Sequence, residues 1–564
     1  MPKNVMKLLK PSPHRARNDF DLSHRHVYTA NFGELLPSTC IETVPGDHIV
    51  MHASNLLRAI PMVTSPFMRA KQHIDLWFVP YRDLWHNFDQ FMVQKDQPVS
   101  SALKNSAFCP HVELKELWNT GCDSGYTDVV GRQQDYGAEK ILNLLGYGDH
   151  FTSASSPKVN LFRLAAYNYI WYNEYRQKYY DDGSRLLATG ANVASLFNFD
   201  DMDCGSQSSA NLINKTNSAY LLRAMCQMRY RTWKKDLFTG LMPSTQFGAV
   251  STVSSTLPAN FILKNDATGL AAGDNIGVFN TAGNLAAYHS GSVVANSTSF
   301  SMSSQYNTNN PSIDVLSLRR SEAIQIWREN ALRAGNRVSD NMRAHYGVES
   351  DFRDHRPTYL GSVSAPLNIG DVMATANSTT GVNNSVGDIA GKGLSSLDEK
   401  VFTFDSKDFG VIIAIHSLLA EAEYNASGID RCNQLLESED FFIPEYENLG
   451  LEAVSSSTFV AVPPSISLVI GYAPRYYAYK TKMDKCFGTF MTGGINAPWC
   501  TPKYDVASAL LSPSVMPLEC LYVNPKLFDV NFSVGLSVQD QFLCDVYYDV
   551  DAVRPMSVVG LPFS

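Results

Sequence analysis

Ten cysteines, at Cys40, Cys109, Cys122, Cys204, Cys226, Cys432, Cys486, Cys500, Cys520 and Cys544, are the side chains best suited to metal or disulfide chemistry. None form a C-x-x-C pair and no pairing rhythm runs through them, so spacing excludes zinc ribbons and redox motifs. With a polar N-terminus lacking a signal peptide, the simplest expectation is reduced thiols in a cytoplasm. His24-Arg25-His26 places two imidazoles two residues apart, but without a cysteine or carboxylate set it reads as hydrogen-bonded arm or interface residues. Gly391-Lys392 resembles part of a phosphate loop, yet Val386 and Gly393 stand where the motif needs Gly and Ser or Thr. Asp405, Asp408, Glu421 and Glu423 lie near expected strands, with nothing to fix the carboxylate separation that glycoside hydrolysis needs. There is no HExxH, no G-x-S-x-G and no nucleophile beside a base, so no catalytic residue, metal or cofactor is expected.

Chemistry toward polyanions is better represented. The net charge of −9 argues against nucleic-acid binding over the whole surface, since phosphate affinity comes from clustered Lys and Arg. The charge is uneven, however. Between Met1 and His26 stand Lys3, Lys7, Lys10, Arg15, Arg17 and Arg25 against Asp19 and Asp21, a local balance of +4 that leaves −13 for the remainder. Pro11 and Pro13 prevent one continuous helix there, and a flexible cationic arm can reach phosphates without a fixed pocket. A second basic patch, Arg229, Arg231, Lys234 and Lys235, interleaves with Tyr230 and Trp233 and offers either phosphate contacts or intersubunit ion pairs. Trp171, Tyr172, Tyr175, Tyr179 and Tyr180 could stack bases beside Arg176 and Lys178, but Tyr172, Tyr175 and Tyr179 also fall at the spacing of one buried helical stripe, the preferred reading.

These residues need a scaffold, and the block Phe20–Pro80 describes its start. Turn punctuation at Pro37, Pro45-Gly46-Asp47 and Pro61 separates runs in which Ile49, Met51 and Ala53, then Ile74, Leu76 and Phe78, alternate at the period of a strand, with Pro80 closing the second. Strands joined by proline-rich corners fit a Greek-key or jelly-roll beginning. Helices are expected over Leu318–Val348, with Ile324, Trp327, Ala331, Ala334 and Val338 in a stripe that Gly335 bends or ends, and over Leu161–Tyr180. Polar stretches at Gly248–Pro311 and Val372–Leu397 read as an external insertion and a loop. The segments VFTFDSKDFGVIIAIHSLL, SISLVIGYAPRYYAYK and FLCDVYYDVDAV have the density of buried strands, which would complete the barrel begun before Trp85. Charged residues make up 18% against the ~25% usual for soluble proteins, as expected where subunit contacts cover surface. The most apolar run, Val411–Ile415 with Leu418–Ala420, falls short of the ~20 residues of a membrane span.

The block FDLSHRH, FGELLP, PGDHIV and IDLWFVPYRDLW resembles the start of the major capsid proteins of the Microviridae, especially the gokushovirus-like branch. Matching stretches follow in order: LFRLAAYNYIWYNEY, MRYRTWKKDLFTGLMPSTQFG, LRRSEAIQIWRENALRAGNRVSDNMRAHYGV, FRDHRPTYLG, IDRCNQLLESEDFFIPEYENLG, GYAPRYYAYK and DVDAVRPMSVVGLPF. The resemblance implies a mainly β fold, an eight-stranded antiparallel viral jelly roll with long helical and loop insertions. Its expected organisation is a basic arm over 1–30 and one jelly-roll domain over 31–564, with a helical insertion at 91–240, a surface insertion at 248–311 that is a candidate threefold protrusion, and a polar loop at 372–397. It further implies a T=1 icosahedral shell of identical subunits in the virion, assembled in the host bacterial cytoplasm around a circular single-stranded DNA genome. The implied partners are a small basic internal DNA-binding protein, a minor pilot or vertex protein and a host surface receptor. The rival reading is a secreted carbohydrate-binding or carbohydrate-active β sandwich, which predicts a signal peptide and a discrete monomer; a tail or spike protein would predict internal repeats, and none is seen.

Overall fold

The computed structural model of the protein describes residues 17–85, 88–93, 109–122, 125, 130, 133–149, 156–181, 218–246, 264–267, 276–279, 285–289, 299–301, 315–334, 343–347, 356–373, 389–460, 468–501 and 518–558. The chain forms two compact units, one of residues 1–245 and 351–564 and the other of residues 246–350.

The larger unit is built on two antiparallel sheets. Ten strands compose them: β1 (Asn18–Asp21), β2 (His24–Ala30), β3 (Leu36–Thr43), β4 (His48–Ala59), β5 (Ala70–Pro80), β6 (Thr358–Pro366), β7 (Asn368–Met373), β8 (Ile389–Asp405), β9 (Gly410–Ala420) and β10 (Phe542–Arg554). The first sheet runs β1–β10–β4–β8–β7 with β2 also on β10, and the second runs β6–β5–β9–β3. From β2 to β5 and again from β6 to β10 the chain passes back and forth between the sheets, so strands close in sequence seldom pair, and the two ends of the chain meet where β1 and β2 pair with β10. The architecture is mainly antiparallel β with added helices, consistent with a jelly roll.

Alternation decides which residues face the other sheet. On β4, Ile49, Met51, Ala53 and Leu57 are buried, and on β10 Phe542, Cys544, Val546, Tyr548, Val550 and Ala552 are, while Asp545, Tyr547, Asp549 and Asp551 point away. Strands β5 and β9 lack this alternation: Ile74 to Val79 and Gly410 to Ser417 are buried on both faces. The reason is that helices cover the second sheet from outside. These include α1 (Leu114–Gly121), α2 (Gln134–Leu144), α3 (Phe162–Ile170) and α4 (Ser218–Cys226), and Phe162 stacks on Tyr81 at 4.6 Å while the Tyr167 hydroxyl donates to Leu35 O at 2.9 Å. Between the sheets, Phe78 meets Phe404 at 4.8 Å, and a polar seam joins Tyr28 to His416 (3.0 Å), Asn55 Nδ2 to Gln72 Oε1 (2.7 Å) and Gln72 Nε2 to Ser395 Oγ (2.8 Å). Burial pushes the His416 imidazole down to about 3, so it serves as a neutral partner.

Several sequence expectations need revision. Residues 18–30 are not arm but strands, held by the pairing of β1 and β2 with β10. The polar stretch Val372–Leu397 is strand at both ends: along β8, Gly391, Gly393 and Ser395 take the buried positions in step with Leu397, and Lys392, Leu394 and Ser396 alternate with them on the exposed face. The segment around Gly471 does form a strand, Val469–Pro474, but it pairs with Leu451–Ser455 in a small separate sheet. The expected helix Leu161–Tyr180 is α-helical only to Ile170, continues as a π turn over Trp171–Tyr175, and stops where the Arg176 amide bonds back to Trp171 O at 3.0 Å.

In the smaller unit, Lys264–Ala267 pairs with Ser299–Ser301 and Ile276–Phe279 with Leu285–His289, both antiparallel. Helix α5 spans Val315–Ala334, and Gly335, expected to bend or end it, lies outside the described residues. Ile324 and Ala331 of the expected stripe are only half-buried and Trp327 is 54% exposed. Val338 and the remainder of the Gly248–Pro311 insertion lie outside the described residues.

Candidate nucleic-acid interface and assembly surface

The cationic candidates separate into distinct environments. Lys3, Lys7, Lys10 and Arg15 lie outside the described residues. Arg17 is exposed, just ahead of β1, with its guanidinium beside the Gly46 turn. Arg25, on the solvent side of β2, is held in a two-pronged pair with Asp545 on the neighbouring β10, Nε to Oδ1 and Nη2 to Oδ2 both at 2.6 Å. Those hydrogen bonds pull the Asp545 carboxyl below its usual range, so Arg25 meets an anion already supplied by the sheet.

Arg229 is a correction: it is buried and does not face solvent. Its guanidinium stacks on Trp171 at 4.1 Å and donates to Asn168 Oδ1 (3.1 and 2.8 Å), Gln227 Oε1 (3.2 Å) and Ala224 O (2.6 Å). Burial pulls it down to about 10, still charged at neutral pH, with its donors spent inside the helical layer. The sequence offers Arg229 a phosphate or a neighbouring subunit's carboxylate, whereas its partners are a core tryptophan and buried amide and carbonyl oxygens.

Arg231 lines a cleft of about 400 Å³ with His73, Asp75, Trp77, Glu174, Tyr175, Tyr359 and Ser362. Asp75 accepts from Tyr175 Oη (2.7 Å), Arg231 Nη1 (3.1 Å) and Ser362 Oγ (2.5 Å), and Arg231 Nη1 also donates to Ser417 Oγ (2.6 Å). Burial, with Arg231 and Lys71 repelling a further positive charge, brings His73 down to about 4. The cleft thus carries a neutral imidazole and a matched ion pair, an arrangement that ties β5, β6 and β9 to the helical layer. Tyr175 is committed to that tie, and Trp171 to Arg229, so the two buried members of the aromatic stripe are core. Tyr172 is half-buried under Arg176 at 4.1 Å. Lys234 is exposed and reaches Glu421 at 3.1 Å, and Lys235 is exposed beside it. Of the patch, Lys234 and Lys235 alone present charge to solvent.

Sequence reasoning missed an apolar surface on the segment that follows β9. Three short 3₁₀ turns, Arg431–Gln434, Ser438–Asp440 and Pro444–Tyr446, hold it in an irregular path, the middle one closed by Asp440 Oδ2 accepting from the Leu436 and Glu437 amides at 3.0 and 3.2 Å. Those turns present Leu436 (85% exposed), Leu449 (65%), Phe441 and Phe442 to water. A lone globule gains nothing from such side chains, whereas a subunit that packs against others does.

Comparison with known proteins bears on this arrangement. Residues 10–563 match the model of a family described as capsid protein (F protein). The chain is 24% identical to capsid protein VP1 of Chlamydia phage 1, with 97% of this chain and 95% of the relative covered. It is 23% identical to capsid protein VP1 of Bdellovibrio phage phiMH2K, covering 98% and 96%, and 22% identical to that of Spiroplasma virus 4, covering 64% and 62%.

Proposed function

The chain belongs to the capsid protein (F protein) family, and on that premise we propose that it is the major capsid protein of a gokushovirus-like, single-stranded DNA bacteriophage, a shell-forming subunit and not an enzyme. The observation that carries this is the family match from residue 10 to residue 563, over a fold whose termini are joined in one sheet. Eight strands then read as a viral jelly roll, β2–β10–β4–β8 facing β3–β9–β5–β6. Identical copies close into a T=1 icosahedral shell around a circular genome, in the host cytoplasm, through contacts that are individually modest and multiplied by symmetry. The exposed apolar turns after β9 support this reading.

The arm, Lys3, Lys7, Lys10, Arg15 and Arg17, together with Lys234 and Lys235, is the part we assign to the genome. A subunit of net charge −9 cannot neutralise packaged DNA, which supports a small basic internal protein as partner. A minor vertex protein and a host receptor complete the set, with the Gly248–Pro311 stretch as the outward projection around the threefold axes. Expression of the full chain alone, followed by light scattering and cryo-electron microscopy, tests the proposal. Uniform closed particles with the arm inside are expected; a protein that stays monomeric at every ionic strength would reject it in favour of the secreted β-sandwich reading.

A further inference from the structure

Three side chains distant in sequence converge just beyond the end of β9. Glu423 follows that strand by three residues, and the next two residues pair in parallel with Lys485–Cys486, which brings Cys486 alongside. Cys500 arrives from a third direction, on a 3₁₀ turn (Ala497–Trp499) fixed to the body by Phe67 N to Trp499 O (2.7 Å) and by Thr64 Oγ1 and Asn531 Nδ2 to Pro498 O (2.8 and 3.0 Å). A carboxylate oxygen of Glu423 and the sulfurs of Cys486 and Cys500 all lie within 4.8 Å of one another, and both cysteines are buried. The Cys486 thiol donates to Glu423 Oε2 at 3.3 Å, and the Thr501 amide donates to the same oxygen at 3.2 Å, which fixes the carboxylate. The Thr501 hydroxyl, next to Cys500, is buried with no hydrogen-bond partner among the described residues.

We propose that Glu423, Cys486 and Cys500 form a binding site for a thiophilic divalent cation, Zn²⁺ by preference. Two sulfurs and one carboxylate are a zinc donor set, with Zn–S of about 2.3 Å and Zn–O of about 2.0–2.2 Å around a tetrahedron. Donors around such an ion stand roughly 3.3–3.8 Å apart, so the three atoms need draw together by about 1 Å at most. Each thiol gives its proton to solvent as its sulfur binds, so two protons leave per ion and acid opposes binding. The fourth position goes to water. The Thr501 amide acts as the outer partner that holds the carboxylate in its coordinating orientation. The ion would clip the end of β9 to two later segments, at the base of the turns that carry Leu436, Phe441, Phe442 and Leu449. Spacing in the sequence hides this set, because the ligands come from three separate segments 63 and 14 residues apart.

The test uses the full chain, purified under reductant and chelator, desalted and titrated with Co²⁺ alone. One equivalent per chain is expected, with thiolate-to-cobalt charge-transfer absorption, displacement by Zn²⁺ and release of two protons. Cys486→Ser and Cys500→Ser should each abolish the thiolate band, Cys432→Ser should leave it intact, and Glu423→Gln should weaken affinity at least tenfold. If the cysteine variants fail to fold, mass mapping of thiol alkylation on the native protein decides: Zn²⁺ should protect Cys486 and Cys500 and leave Cys432 reactive. Absence of the band at one equivalent, its survival in both cysteine variants, no selective protection, or a Cys486–Cys500 disulfide in protein quenched at lysis would each overturn the proposal. None of these results bears on shell assembly, which is read separately from particle size.

Discussion

A single lysine illustrates how this fold spends charge inside. Lys140 on α2 lies 2.7 Å from Glu34 Oε2 and 3.0 Å from Asp540 Oδ2, and both carboxylates are sealed from water. Burial would raise Asp540, but Lys140 and hydrogen bonds from Thr29, Tyr136 and Asn31 outweigh it and bring the carboxyl down to about 2. A folded value below the unfolded 3.8 makes this a stabilising contribution at neutral pH, on the order of 2 kcal/mol, fully present above the unfolded value and lost as pH falls through about 2. Replacing Lys140 by Met leaves two buried carboxylates facing each other, so Lys140→Met should cost ~3–5 kcal/mol in urea unfolding at pH 7. Adding Glu34→Gln and Asp540→Asn should recover much of that loss; a single variant within 1 kcal/mol of the parent would show that water relieves the site. The triad was not legible in the sequence, since nothing local relates positions 34, 140 and 540. Arg229 was misread for a related reason: the pattern Arg-Tyr-Arg-Thr-Trp-Lys-Lys looks the same whether its first guanidinium faces phosphate or Trp171.

At the scale of elements, what could be read beforehand was what one buried face imposes. Ile49, Met51 and Ala53 mark β4, and the apolar positions of FLCDVYYDVDAV mark β10, because water on the far side enforces alternation. The polar ends of Val372–Leu397 escaped notice, since Gly391, Gly393 and Ser395 fill inward positions of β8 where small residues fit close to the opposing chain. Gly33 shows how narrow such places are. It adopts φ +79° in the FGELLP corner, its amide donates to Leu418 O at 2.8 Å and its carbonyl accepts from the Arg231 amide at 2.7 Å. A Cβ there would stand 2.4 Å from Val523 O. Gly33→Ala should therefore lose roughly 1–3 kcal/mol from backbone strain alone, with the clash in addition. A thermal melt of the variant unchanged from the parent would mean that the 520s segment yields freely.

For the molecule as a whole, the acidic body and the basic leader are expected to separate in function. Removing residues 1–17 takes away five cations and stops short of β1, which begins at Asn18, so folding and particle closure should persist while the salt dependence of single-stranded DNA binding flattens by up to about 3.5 in logarithmic slope. An unaltered slope, or unchanged genome content in truncated particles, would move the DNA contact elsewhere, first to Lys234 and Lys235. Closure itself should depend on the turns after β9. Leu436, Phe441, Phe442 and Leu449 stand in water in the isolated chain, so exchanging them for Ser removes little that the subunit's own core uses. In a shell the same exchange is repeated at every copy, and each large apolar side chain buried between subunits is worth ~1.5–3 kcal/mol. The fourfold Ser variant should keep the parental unfolding midpoint as a dissociated subunit, yet sediment as free protein at concentrations where the parent is entirely particulate. Particles of normal yield and salt resistance from that variant would show that this face looks outward, and that assembly rests on the sheets and their helical cover instead.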